Sequence, residues 1–173
     1  MQFKYMVING QLYGSEEHLD LNKIDKAITN VDFKDDKFSQ HYADSNHNNN
    51  KNIIDYLFAL SLCHTIIIAE STEKEMSYNA SSPDELALVN VARYLDCTFY
   101  KRNDDNDMVI KFKNEDHEFK LLNVFEFNSY RKRMSVIVQD KQGQIKLICK
   151  GADSVILKLL DNEKRYFFNI IKS

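Results

Sequence analysis

The stretch MVIKFKNEDHEFKLLNVFEFNSYRKRMSVIVQDKQGQIKLIC, residues 108–149, decides the fold. Residues 108–113 alternate apolar and polar side chains, and further extended-type runs follow at 118–127, 134–139 and 144–149. Period-two alternation in Val, Ile and Phe predicts strands with one buried face. The connection Asp140-Lys141-Gln142-Gly143 is short and contains glycine, as a hairpin loop requires. Residues 98–101 add a strand ahead of this series. Consecutive strands joined by short turns predict an antiparallel sheet.

Upstream the periodicity changes to helical. Residues 52–69 are expected as a helix with Ile53, Leu57, Leu60 and His64 along one side. His64, between Cys63 and Thr65 on an apolar segment, reads as a hydrogen-bonded core histidine rather than a ligand. Residues 76–80 are a short strand candidate. Ser82 then offers an N-cap, Pro83 suits the first helical position, and Glu85 completes a Ser-x-x-Glu capping box. Leu88, Val91, Ala92 and Leu95 form the expected buried face of that helix. A last helix is predicted over 151–160, with Val155, Ile156 and Leu159 apolar. Helices clustered early and strands late make the fold class α+β, an antiparallel β-sheet flanked by helices.

The N-terminal part divides in two. Residues 1–15, MQFKYMVINGQLYGS, read as a strand hairpin turning at Asn9-Gly10. Residues 16–51 are expected to be a polar, partly disordered insertion, because Asn, Asp, Lys and Ser dominate and HYADSNHNNNKN shows no period. Its histidines and asparagines complete no metal-ligand set. The remaining domain is assigned to 52–173.

The chain's 173 residues fit one domain or one domain with a tail, and 43% hydrophobic content supports a sizeable core. A formal charge of −3 gives no electrostatic case for nucleic acid or an acidic membrane as partner. Cys63, Cys97 and Cys149 stand singly, without zinc-type spacing, which suits a reducing compartment. The longest apolar region, 53–69, is interrupted by Asp55 and His64, and a membrane span needs about 20 apolar residues. Lys4 and Asn9 break the opening apolar run, so no signal peptide is read there.

No GxxxxGKS/T, GxGxxG or GxSxG motif is present, so generic routes to phosphate binding and serine catalysis lack support. Three other segments carry information together: SSPDELALV at 81–89, FNSYRKRMSVIV at 127–138 and KGADSVI at 150–156. In order and spacing they resemble the signature segments of nucleotide-binding domains of P-type ATPases of the type IV, phospholipid-flippase branch. MQFKYMVINGQLYG resembles the segment that follows the family's DKTGTLT phosphorylation motif, and LCHT at 62–65 resembles the helix before its insertion-prone loop. The likeness covers most of the chain except 16–51.

The resemblance implies an ATP site. Phe127 would stack on adenine, which needs a flat apolar partner; the competing reading is a core phenylalanine at a strand end. Lys150 would close on the nucleotide with its charge, and Gly151 would let backbone approach closely. Glu85 has two readings, contact with the adenine edge and the capping box. Ser129 and Lys132 are implied polar contacts near sugar and phosphates, while some of Arg131, Lys132 and Arg133 read equally as solvated strand charges.

The family also implies Mg²⁺, held mainly outside this chain, and phosphorylation and actuator domains of the same ATPase as partners. Phospholipid would be met only through membrane segments, at the cytosolic face of a membrane. The chain departs from the family's pattern in lacking the DKTGTLT, DGES-like, GDGxND and EGLRTL-like segments. Asp140 in DKQG is assigned to a turn, which leaves no phosphorylation site. The expectation is therefore a fragment, C-terminally incomplete. Two alternatives remain: a pump of the cation or polyamine branch, and a non-catalytic interaction module that keeps the fold.

Overall fold

Two residues set where the first hairpin closes. In the computed structural model, which describes residues 2–20, 24–69, 76–103, 105 and 107–161, Asn9 and Gly10 both take positive φ, 49° and 76°. A two-residue hairpin turn needs that backbone. It joins β1 (Met6–Ile8) to β2 (Gln11–Tyr13), with Ile8 opposite Gln11. Met6, Ile8 and Tyr13 of this hairpin are buried in the core.

The stretch expected as a polar insertion is built into the fold across much of its length. Helix α1 (Asp36–Ala43) is capped by Asp35, whose carboxylate accepts from the Phe38 amide at 2.6 Å and the Gly14 amide at 2.8 Å. Val31, Phe33 and Phe38 are buried, and the Phe38 ring meets Tyr13 edge-on at 5.4 Å and Phe33 at 5.2 Å. Only Phe38 of α1 is buried, so no helical period could be read from the residues. Asn49 and Asn50 are buried as well. Their amides donate to the Ile8 carbonyl and Tyr13 hydroxyl, and to the His41 and Tyr42 carbonyls. At Asn49 and Asn50 the polar side chains serve buried hydrogen bonds, while most other polar residues of the stretch are exposed.

Helix α2 (Asn50–Leu62) buries Ile53, Leu57 and Leu60, as the sequence suggests, but stops seven residues before the expected 69. His64 is the cause. Its Nδ1 accepts from the Ile66 amide at 3.1 Å, so Nε2 carries the proton and donates to the Ser61 carbonyl at 2.9 Å. Those bonds replace the helical ladder, and β3 (Ile67–Ile68) follows, paired with β4 (Tyr78–Asn79). Burial forces His64 to stay neutral and pushes its pKa down to about 3.

Helix α3 (Pro83–Tyr94) begins with Pro83 in its first turn and buries Ala87, Val89, Val91 and Ala92. The sheet is an antiparallel meander of β5 (Cys97–Arg102), β6 (Met108–Phe112), β7 (Glu115–Phe125), β8 (Arg133–Asp140) and β9 (Ile145–Gly151), in chain order. Met134, Val136 and Val138 of β8 are buried and pack, with Phe99 and Ile110, into one core with α2 and α3. The expected turn at 140–143 is present: Asp140 Oδ1 accepts from the Gln142 and Gln144 amides at 3.1 and 2.9 Å. Helix α4 (Asp153–Leu159) closes the described part. Residues 162–173, assigned with 52–161 to the same domain, lie outside it. The α+β class with an antiparallel sheet and flanking helices is thus observed. Among the described residues, no helix is long and apolar enough to cross a membrane.

Two outcomes follow from this packing. Phe38→Ala should cost about 3–5 kcal/mol, the usual loss for a fully buried aromatic, read as a lower urea midpoint at unchanged pH. His64 sets a pH dependence. Its folded pKa lies below the ordinary value near 6.5, so in acid the unfolded chain takes up a proton that the fold refuses. Stability should therefore fall as pH drops below about 6.5, and NMR should show the His64 ring still neutral at about pH 5.

Candidate nucleotide site

The first turn of α3, the end of β9 and the chain leaving β7 face one another across a cavity of about 660 Å³. Thr65, Glu85, Phe127, Met134, Lys150 and Gly151 are among its lining residues. Ligand pockets commonly fall between about 300 and 1,000 Å³. A larger concavity, of about 780 Å³, lies elsewhere, between α2 and the β8–β9 turn, and contains none of the expected site residues.

Glu85 and Lys150 come from segments 65 residues apart, yet Lys150 Nζ donates to Glu85 Oε1 at 2.9 Å. Glu85 Oε2 accepts from the Thr65 hydroxyl at 2.8 Å. Burial alone would raise the Glu85 carboxyl, but the hydrogen bond and charge of Lys150, aided by Thr65, outweigh it and hold the pKa below the usual glutamate value. The capping box is not formed: the Ser82 side chain makes no cap bond, and Glu85 is drawn to its ionic partner. A bond to an ammonium is stronger than one to a backbone amide. Glu85 still stands in the first turn of α3, where the helix dipole favours a negative charge.

Phe127 lies just beyond β7 and is 63% exposed, which removes the core-phenylalanine reading. Its ring offers a flat apolar face at the cavity. Gly151 is required by its neighbours. A Cβ there would sit 2.5 Å from the Lys132 carbonyl oxygen and 2.6 Å from Arg133 Cβ. The close approach expected of this glycine is made, in this structure, to the start of β8. Ser129 and Lys132 do not line the cavity. Ser129 is exposed in the loop after β7. Lys132, with φ of 51°, accepts at its carbonyl from the Ala152 amide at 3.0 Å, so its backbone anchors the chain entering α4.

Thr65 was not singled out from the residues. Its partner lies 20 positions away, a separation with no local periodicity, and only its place in the LCHT segment marked it. Cys63, two residues earlier, is buried, and that burial pushes its thiol up to about 11, so it stays a neutral neighbour. No group of three or more His, Cys, Asp or Glu could hold a metal ion among the described residues.

The fold and site define an α+β domain, a meander sheet backed by helices, with an aromatic face and a paired lysine at one ligand-sized cavity. The family described as P-type ATPase, cytoplasmic domain N, matches residues 52–163, and the chain belongs to it. Over 169 residues it is 38% identical to the human phospholipid-transporting ATPase IC, covering 92% of this chain and 13% of that protein. It is 37% identical over 174 residues to the phospholipid-transporting ATPase DRS2 of Saccharomyces cerevisiae, covering 96% and 12%. It is also 37% identical over 171 residues to a human probable phospholipid-transporting ATPase IM, covering 92% and 14%. The chain therefore spans about an eighth of the length of these relatives.

Gly151→Ala should be destabilising by about 1–3 kcal/mol, because the added methyl meets backbone that cannot yield. A lowered urea midpoint checks this, and a variant as stable as wild type would show that β8 and β9 can separate there.

Proposed function

We propose that this domain binds ATP in the cavity between α3, β9 and the loop after β7. It positions the γ-phosphate for transfer to an aspartate outside this chain. The observation that carries the proposal is convergence: Glu85, Phe127, Lys150 and Gly151, from three separate segments, line one cavity. Family membership supports the same ligand, and the similarity to phospholipid-transporting ATPases supports such an enzyme as the larger protein.

The chemistry asked of these residues is binding and orientation. Phe127 stacks on the adenine ring. Glu85 faces its edge, and Lys150 turns from Glu85 to the phosphates, exchanging one anion for another. Holding the two reactants in line supplies much of the rate of a phosphoryl transfer. Mg²⁺ would neutralise the transferring phosphates. As family membership implies, it would be held mainly by other parts of the enzyme. Ser129 and Lys132 remain proposed contacts to sugar and phosphate, reached from the loop rim. The proposed partners are the phosphorylation and actuator domains of the same ATPase, at the cytosolic face of a membrane, with phospholipid handled by membrane segments. Nucleic acid has no place in it.

Calorimetric titration of wild type, Phe127→Ala and Lys150→Ala tests the proposal, with circular dichroism to confirm folding. Stacking on a base is worth about 1–3 kcal/mol in nucleic-acid binders, so Phe127→Ala should weaken ATP and ADP equally, by about 5- to 150-fold. Lys150→Ala should weaken ATP more than ADP, and the difference should shrink as salt rises. A folded Phe127→Ala variant that binds ATP like wild type places adenine elsewhere and overturns the assignment.

A further inference from the structure

Both carboxylate oxygens of Glu85 are engaged, Oε1 by Lys150 and Oε2 by Thr65. The two partners differ in what a phosphate does to them. Lys150 is a cation on a flexible stem and follows the strongest anion. The Thr65 hydroxyl is neutral and short, and a phosphate gives it no comparable pull.

We infer that Thr65 is a positioning residue: its hydroxyl keeps Glu85 in place after Lys150 has turned to a phosphate, leaving Glu85 Oε1 to accept an N–H from the exocyclic amine of a nucleobase. The inference rests on the ATP reading above and adds the source of base selectivity. Glu85 is only 8% exposed. A carboxylate so buried, stripped of its lysine and holding no other bond, would swing outward or take up a proton. Thr65 prevents both by keeping one charge-assisted bond.

The fold sets Thr65 for this task. His64 bonds to the Ser61 carbonyl on one side and the Ile66 amide on the other, which fixes the turn around Thr65. His64 and Cys63 are neutral, held so by burial, with pKa values pushed to about 3 and about 11. Lys150, from β9, is the charged group in contact with the Glu85 carboxylate, and Asp84 is its acidic neighbour on α3. LCHT thus works as a unit: Leu62 and Cys63 are buried, His64 shapes the turn, and Thr65 reaches Glu85.

The test uses the full chain as wild type, Thr65→Ser and Thr65→Val. Thr65 is exposed at the surface, so both variants should fold, which circular dichroism verifies. Carbon-13 NMR of labelled glutamate follows the Glu85 carboxyl through its titration without nucleotide. The midpoint should rise in Thr65→Val and stay near wild type in Thr65→Ser. Calorimetry then compares ATP with inosine triphosphate, whose base carries an oxo group in place of the amine. Wild type and Thr65→Ser should prefer ATP, and Thr65→Val should lose about tenfold of that preference, the worth of one hydrogen bond to a charged group. An unmoved midpoint, or an undiminished preference in Thr65→Val, overturns the role given to Thr65. A wild type that binds neither nucleotide overturns the ATP reading instead.

Discussion

The ion pair between Glu85 and Lys150 joins the first turn of α3 to the edge strand β9, and the geometry of the site depends on it. The pair is largely buried, with side-chain exposures of 10% for Glu85 and 27% for Lys150. Removing either partner would leave a charge in a place that water only partly reaches, which is costly. The pair therefore holds the helical layer against the open end of the sheet. It also neutralises Glu85 in a cavity whose lining includes two further acids, Asp84 and Glu126.

A second constraint lies directly beside it. Gly151 ends β9 against Lys132 and Arg133, where β8 starts, so closely that no side chain fits between them. The Ala152 amide then bonds the Lys132 carbonyl and turns the chain into α4. This contact fixes the direction in which Lys150, the preceding residue, leaves the strand. Sheet pairing and site geometry are one problem here: Met134 pairs with Lys150 in the ladder, and both line the cavity.

The N-terminal hairpin and α1 show how polar residues can build a core. Tyr13, His41 and Asn49 form a connected set of hydrogen bonds, and His41 stacks on His47 at 3.6 Å. Ion pairs and hydrogen bonds from Arg93 to Asp25 and from Asn90 to the Thr29 carbonyl tie the same region to α3. Each is modest alone, but each satisfies a group that burial would otherwise penalise. Counting apolar residues misjudges such a segment, because its stability comes from a few aromatic rings and a satisfied polar network.

Local chemistry made much of this protein legible in advance. Extended-type apolar runs over 108–149 announced the strands, although burial alternates only in part, with Met108, Val109 and Ile110 all buried. Asn9-Gly10 and the 140–143 turn announced hairpins through their backbone preferences, and the SPDE, FNSYRKRMS and KGAD segments pointed to the family by likeness. The end of α2, the fate of Glu85 and the part played by Thr65 were not legible. His64 stops a helix that its neighbours would continue, and Glu85 leaves a local cap for a lysine 65 residues away. By itself the sequence determined the elements and the family, since those follow from short-range periodicity and motif. Only the tertiary structure decided which charges meet, because Coulomb and hydrogen-bond energies depend on distances that chain separation does not reveal.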